Sequence, residues 1–232
     1  GCCLLILTCF SSAAAVSAQN FANTVDEAQA LIDGIVAYKK AESGVESIQE
    51  WIDTGLTRNA GATSEWYIMA LSQTGKRYDY TAYIGALHAY TAENAFTNAT
   101  NLQKYALAFI ASGRADDGFV TKAIDETIGK QGIMSWIYGL HLLNNGCKSA
   151  VYTKQAVVEQ ILTLRLSDGG WALYGENSDI DVTASAIQAL APYYAEDESV
   201  KAAVNESLVY LGTKQLDDGG YQSFGTGNPE SA

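Results

Sequence analysis

Leu166-Ser167-Asp168-Gly169-Gly170-Trp171 returns fifty residues later as Leu216-Asp217-Asp218-Gly219-Gly220-Tyr221. Thr163 and Thr213 extend the match upstream. After each loop comes a polar stretch and then a similar helix start, Asp181-Val182-Thr183-Ala184 in the first copy and Pro229-Glu230-Ser231-Ala232 in the second. Self-similarity at a fixed period marks one supersecondary unit used repeatedly, because a unit that cannot bury its apolar face alone stacks on its neighbours. The Asp-Gly-Gly core of each loop suits a sharp turn, since glycine tolerates positive φ.

The repeated unit is helical. The chain has 2 prolines among 232 residues, and its apolar residues recur at helical spacing almost throughout. The spacing predicts helices over roughly 24–41, 46–54, 63–74, 78–94, 99–112, 120–128, 131–145, 152–166, 181–194 and 197–215, an eleventh near Glu230, and no alternating strand. Gly75, Gly113 and Gly146 follow three of these segments, where a glycine caps the last turn in the left-handed conformation. Trp66-Tyr67-Ile68-Met69-Ala70-Leu71, Ala106-Leu107-Ala108-Phe109-Ile110 and Trp136-Ile137-Tyr138-Gly139-Leu140 are apolar on most sides and are therefore expected to be buried. The segments between them carry more charge, such as Lys154 and Glu159, or Lys201 and Glu206. An inner ring of helices within an outer ring satisfies this alternation. The expected fold class is all-α, an α/α toroid of helical hairpins, incomplete at its C-terminal end.

Residues 1–18 are apolar or small, carry no charge and end in Ala15-Val16-Ser17-Ala18. They read as a secretory signal peptide lacking its basic start, which leaves residues 19–232 as the toroid domain and implies a secreted or cell-surface protein. No later run approaches the ~20 apolar residues that span a membrane. Cys2, Cys3 and Cys9 fall in the leader, so the mature chain keeps only Cys147 and forms no internal disulfide. A net charge of −12 argues against nucleic acid and anionic membranes as partners.

Gln215, Gly219 and Tyr221 resemble the Q-x-x-x-G-x-W repeat of the prenyltransferase and squalene-cyclase superfamily. The first copy has Arg165 in place of the glutamine and Tyr221 replaces tryptophan in the second. Asp179-Ile180-Asp181-Val182-Thr183-Ala184 resembles the D-x-D-D-T-A segment of class II terpene cyclases, with Val182 replacing one aspartate. Together with Ile187-Gln188-Ala189-Leu190 it is closer to secreted bacterial proteins of this repeat type, themselves distantly similar to the cobalamin carriers intrinsic factor and transcobalamin. The resemblance covers about residues 60–232. It implies an exported, non-catalytic ligand-binding module whose ligand is a small molecule or glycan, with a corrinoid as the leading candidate and no required cofactor. It also implies that a β domain or a cell-wall anchor follows residue 232.

In such a toroid the loops from outer to inner helices gather on one rim. Gly169, Gly170, Trp171, Gln215, Gly219, Gly220 and Tyr221 are then structural, the aromatics packing back as wedges or, alternatively, stacking on a ligand. Tyr174 and Phe224 are expected to face the rim. Asp179, Asp181, Thr183 and Asp218 offer a polar lip for a ligand. For Asp181 and Thr183 the competing role is N-terminal capping and dipole complementarity. Two enzyme readings stand beside the binding one. A cyclase would use Asp181 as its acid, although Val182 removes the neighbouring acid that strengthens it. A polysaccharide-active toroid would draw on Asp179, Asp181, Asp218 and Glu230. His88 and His141 are expected as packed helix residues. One mature cysteine and two histidines show no metal-ligand spacing, and the expectation is no metal site.

Overall fold

The computed structural model describes residues 24–217, 219–223 and 226–228. The leader 1–18, Asp218, Phe224 and the helix start at Glu230 lie outside the described residues. The chain is mostly helical. The α-helices among the described residues are α1 (Val25–Ser43), α2 (Ile48–Trp51), α3 (Ser64–Ser72), α4 (Thr81–Glu93), α5 (Ala99–Ala111), α6 (Gly118–Thr127), α7 (Gly132–Asn144), α8 (Lys154–Thr163), α9 (Ile180–Leu190) and α10 (Glu198–Lys214). Each falls on a segment that the apolar spacing predicts. α2 runs on into a π-helical turn, Ile52–Leu56, where Gly55 lets the Trp51 ring lie against the backbone.

The caps follow from local chemistry. Thr24 and Glu27 form a reciprocal capping box at the start of α1, and Gly44 closes its end at φ 66°. Thr153 and Asp197 accept backbone N–H groups at the starts of α8 and α10. Gly75, Gly113 and Gly146 adopt φ of 74°, 83° and 88°, as expected of terminating glycines. Two expectations need correction. Two short strands, β1 (Tyr221–Ser223) and β2 (Thr226–Asn228), pair antiparallel as Tyr221↔Asn228, Gln222↔Gly227 and Ser223↔Thr226. Trp66 is 52% exposed rather than buried, because α3 turns Ile68 and Leu71 inward instead.

The described residues group into two compact units, residues 24–97 with 104–117 and residues 98–103 with 118 onward. In the first unit the π-helical turn packs on α3 and α4, and α1 on α2. Its core holds Trp51, Ile52, Leu56, Ile68, Tyr83, Leu87 and Phe109. In the second unit α7 and α9 lie side by side, α7 backed by α8 and α9 by α10. The Asn144 amide donates to Ala189 O at 3.0 Å and ties the ends of α7 and α9 together. Among the described residues no helix is long and apolar enough to cross a membrane.

Candidate functional site

The two repeated loops close with the same pair of backbone hydrogen bonds. Leu166 N donates to Gly170 O at 2.8 Å and Gly169 N to Leu166 O at 3.1 Å; Leu216 N donates to Gly220 O at 2.8 Å and Gly219 N to Leu216 O at 2.9 Å. Gly169 and Gly219 supply the positive φ, 100° and 87°. Gly170, the second glycine of the first loop, does not adopt positive φ. Gly170 is needed for closeness: a Cβ there would collide with the Thr183 hydroxyl and lie 2.8 Å from Ser178 Cβ. Gly170→Ala is therefore expected to cost about 1–3 kcal/mol by overpacking, lowering the melting temperature by roughly 2–12 °C. A thermal melt identical to that of the parent would remove the close-approach assignment.

Trp171 is fully buried, and its indole N–H donates to Ile161 O at 2.7 Å. Its backbone N–H donates to the Thr183 hydroxyl at 3.0 Å, while Asp179 N donates to Trp171 O at 2.8 Å. Tyr221, its counterpart, is only half-buried and pairs with Gln215. The Gln215 amide donates to Gly219 O at 3.3 Å, so the motif's glutamine holds the second loop from behind. Arg165 in the first copy instead reaches Glu206 of α10 at 2.6 Å.

An open groove of about 510 Å³ lies between the first loop and α10, lined by Ser167, Asp168, Glu206, Tyr210, Thr213 and Lys214, with Gly169 and Val209. Burial alone would raise the Asp168 carboxyl, but hydrogen bonds from the Ser178 hydroxyl and N–H and from Gly170 N–H hold it below its ordinary value. Burial, then the charges of Asp168 and Asp179, push the Tyr210 phenol up; its hydroxyl donates to Ser178 O. The Ser207 hydroxyl of α10 donates to Gly169 O at 2.6 Å. Tyr210 and Ser207 thus hold the loop on α10, while Asp168 braces the loop from within.

The anticipated ligand residues divide. Asp179 is the N-cap of α9, accepting from Val182 N at 3.0 Å. This corrects the expectation that Asp181 or Thr183 caps the helix. Asp181 is exposed in the first turn, where its charge complements the helix dipole. Thr183 is fully buried, and its hydroxyl is committed to the backbone of Trp171, so it faces the loop rather than a ligand. Tyr174 is 80% exposed. His141 is packed, and burial lowers its imidazole to about 4. His88, expected to be packed as well, is half-exposed and donates to the buried Asp117 at 2.9 Å. Cys147 is half-buried, and burial raises its thiol. Among the described residues no group of three or more His, Cys, Asp or Glu comes together as a metal site.

The most heavily buried charge is one that the sequence reading passed over. Glu65, in the first turn of α3, is completely buried. One carboxylate oxygen accepts from Gly61 N at 2.6 Å and from the Tyr83 hydroxyl at 3.2 Å; the other faces Lys104 Nζ at 3.6 Å. Burial, followed by the Glu65 charge, pushes the Tyr83 phenol upward. Glu65 follows Thr63 and Ser64 at a helix start in sequence and is brought to Tyr83 and Lys104 only by the fold.

Comparison with family models, with curated proteins and with solved structures returned no match.

Proposed function

We propose that this chain is an exported ligand-binding module, non-catalytic, built as most of an α/α toroid of the prenyltransferase and squalene-cyclase repeat type. One observation carries the reading: in the second unit, paired helices α7 and α9 are each backed by the helix that follows, and the loops after α8 and α10 close with the same hydrogen bonds. That is the local pattern of a hairpin repeat with an inner and an outer layer. The groove beside the first loop, at about 510 Å³, falls within the roughly 300–1,000 Å³ usual for small-molecule sites. Tyr174 stands exposed on the same loop. A corrinoid is the leading ligand by resemblance, and a groove of this size would grip one edge of such a macrocycle.

The same geometry favours binding over turnover. A cyclase acid must be buried to protonate an alkene, whereas Asp181 is exposed. Asp179, the second carboxylate of the polysaccharide reading, is occupied in capping α9. Native mass spectrometry of the secreted protein against a pool of cobamides, isoprenoids and oligosaccharides tests the proposal. The expected result is one retained, chemically unchanged ligand. The Asp181→Asn variant is expected to change stability by less than about 1 kcal/mol and to have no turnover to lose. A mass-shifted product that disappears in that variant would overturn the binding reading.

A further inference from the structure

Asn145-Gly146, at the end of α7, is the one Asn-Gly pair in the chain. Such a pair is chemically labile. The backbone nitrogen of the second residue attacks the Asn carboxamide carbon, and the new C–N bond closes a five-membered imide. The side-chain nitrogen leaves as ammonia, carrying the proton given up by the backbone N–H. Water then opens the ring to aspartate or isoaspartate. Glycine favours the attack because no side chain shields its amide. Both residues are exposed, so water reaches them. The fold nonetheless holds both reacting groups. Gly146 adopts φ 88° and closes a Schellman turn, in which its N–H donates to Leu143 O at 3.1 Å and Cys147 N to Leu142 O at 3.4 Å. The Asn145 carboxamide N–H donates to His141 O at 2.8 Å. Nucleophile and leaving group are thus bound to different carbonyls of the last turn, and the attack requires that turn to open.

We propose that Asn145 is a deamidation site that the folded chain keeps closed, so that its conversion records openings of the α7 end and makes them permanent. The opening is local, since the last turn of a helix frays without global unfolding. The product makes it one-way. A carboxylate at residue 145 cannot donate to His141 O, and it sets negative charge at a helix C-terminus, where the dipole disfavours it. The isoaspartyl form also adds a methylene to the main chain, so the amides of Gly146 and Cys147 no longer reach Leu143 and Leu142 together. The position carries the effect beyond its own turn. Asn144, the preceding residue, donates to Ala189 O at 3.0 Å and accepts from the Tyr193 hydroxyl, tying the end of α7 to the end of α9. That tie opposes the opening, and the conversion strains it. Asn177-Ser178 is the slower reference within the same chain. The Ser178 side chain crowds the attack, and its N–H is held by Asp168 at 2.9 Å.

The test incubates the whole chain, folded and in guanidinium chloride, side by side in mildly alkaline buffer. Peptide mass spectrometry follows the exchange of side-chain NH2 for OH. In denaturant, residue 145 is expected to convert before every other asparagine, Asn177 included. In the folded chain its conversion is expected to be at least tenfold slower, because only the open fraction reacts. Asn144→Ala, which unties α7 from α9, is expected to speed the folded-state conversion at least threefold while circular dichroism shows the helices retained. Asn145→Asp, which stands for the product, is expected to lower the melting temperature by about 1–4 °C. Equal rates in the folded and denatured chains would overturn the proposal, because the turn would then protect nothing. So would the absence of conversion at residue 145 in denaturant. A folded Asn144→Ala variant that converts no faster would remove the link to α9, and an unchanged melt for Asn145→Asp would show that the opening is not made permanent.

Discussion

Trp171→Ala is expected to destabilise the second unit by about 3–5 kcal/mol, the cost of emptying a fully buried aromatic site. At 2–4 °C per kcal/mol, this is a fall in melting temperature of roughly 6–20 °C. Two losses combine. The indole fills the space beneath the first loop, and its N–H donates to the last turn of α8 at Ile161 O. Trp171→Phe retains most of the apolar volume and loses the hydrogen bond, so it should cost about 1–2 kcal/mol. Tyr221→Ala should cost less than Trp171→Ala, since Tyr221 is only half-buried. Urea titration of the three variants, followed by circular dichroism, gives the ranking. Equal losses for Trp171→Ala and Tyr221→Ala would show that burial does not set the difference between the two copies.

Glu65→Ala is the second large effect, at about 3–5 kcal/mol, as expected when one member of a buried ion pair is removed. The substitution leaves Gly61 N–H and the Tyr83 hydroxyl without their acceptor and Lys104 without its counter-charge. Glu65→Gln preserves an acceptor for Gly61 and removes only the charge, so its expected cost is smaller, about 1–2 kcal/mol. Chemical denaturation of both variants checks this. A Glu65→Ala variant within about 1 kcal/mol of the parent would mean that the desolvation of the pair cancels its attraction.

Helical periodicity survives in sequence because it is a local property. The predicted segments therefore fall on observed helices, and Gly75, Gly113 and Gly146 take the left-handed conformation that their positions imply. What remained hidden depends on contacts distant along the chain. Thr183 reads as a helix-start residue, yet its partner is Trp171, twelve residues earlier. Glu65 reads as an ordinary first-turn acid until Tyr83, 18 residues on, meets it. Gly169 and Gly170 are indistinguishable as letters. Only the fold separates the one that turns the chain from the one that admits Thr183. The β1–β2 pair was missed because Tyr221–Ser223 and Thr226–Asn228 are polar and short, with too few residues for alternation to register. The candidate site was only partly legible for the same reason. Asp168 lines the groove as a carboxylate should, but its partner is Ser178 of the same loop.

A single kind of anchor recurs near the starts of three helices. Glu65 accepts from the backbone of Gly61, Ser135 from Gln131, and Thr183 from Trp171. The first two anchors reach back four residues and the third reaches twelve. The extra length is the stretch between Trp171 and Asp179, whose two ends are joined by a backbone bridge. Residues 172–177 are thus framed on both sides and can be exchanged as a cassette. Sequence grafted there would inherit a rigid mount from Trp171, Ser178 and Thr183, so a library confined to those six positions would vary what the protein displays while its scaffold stays the same.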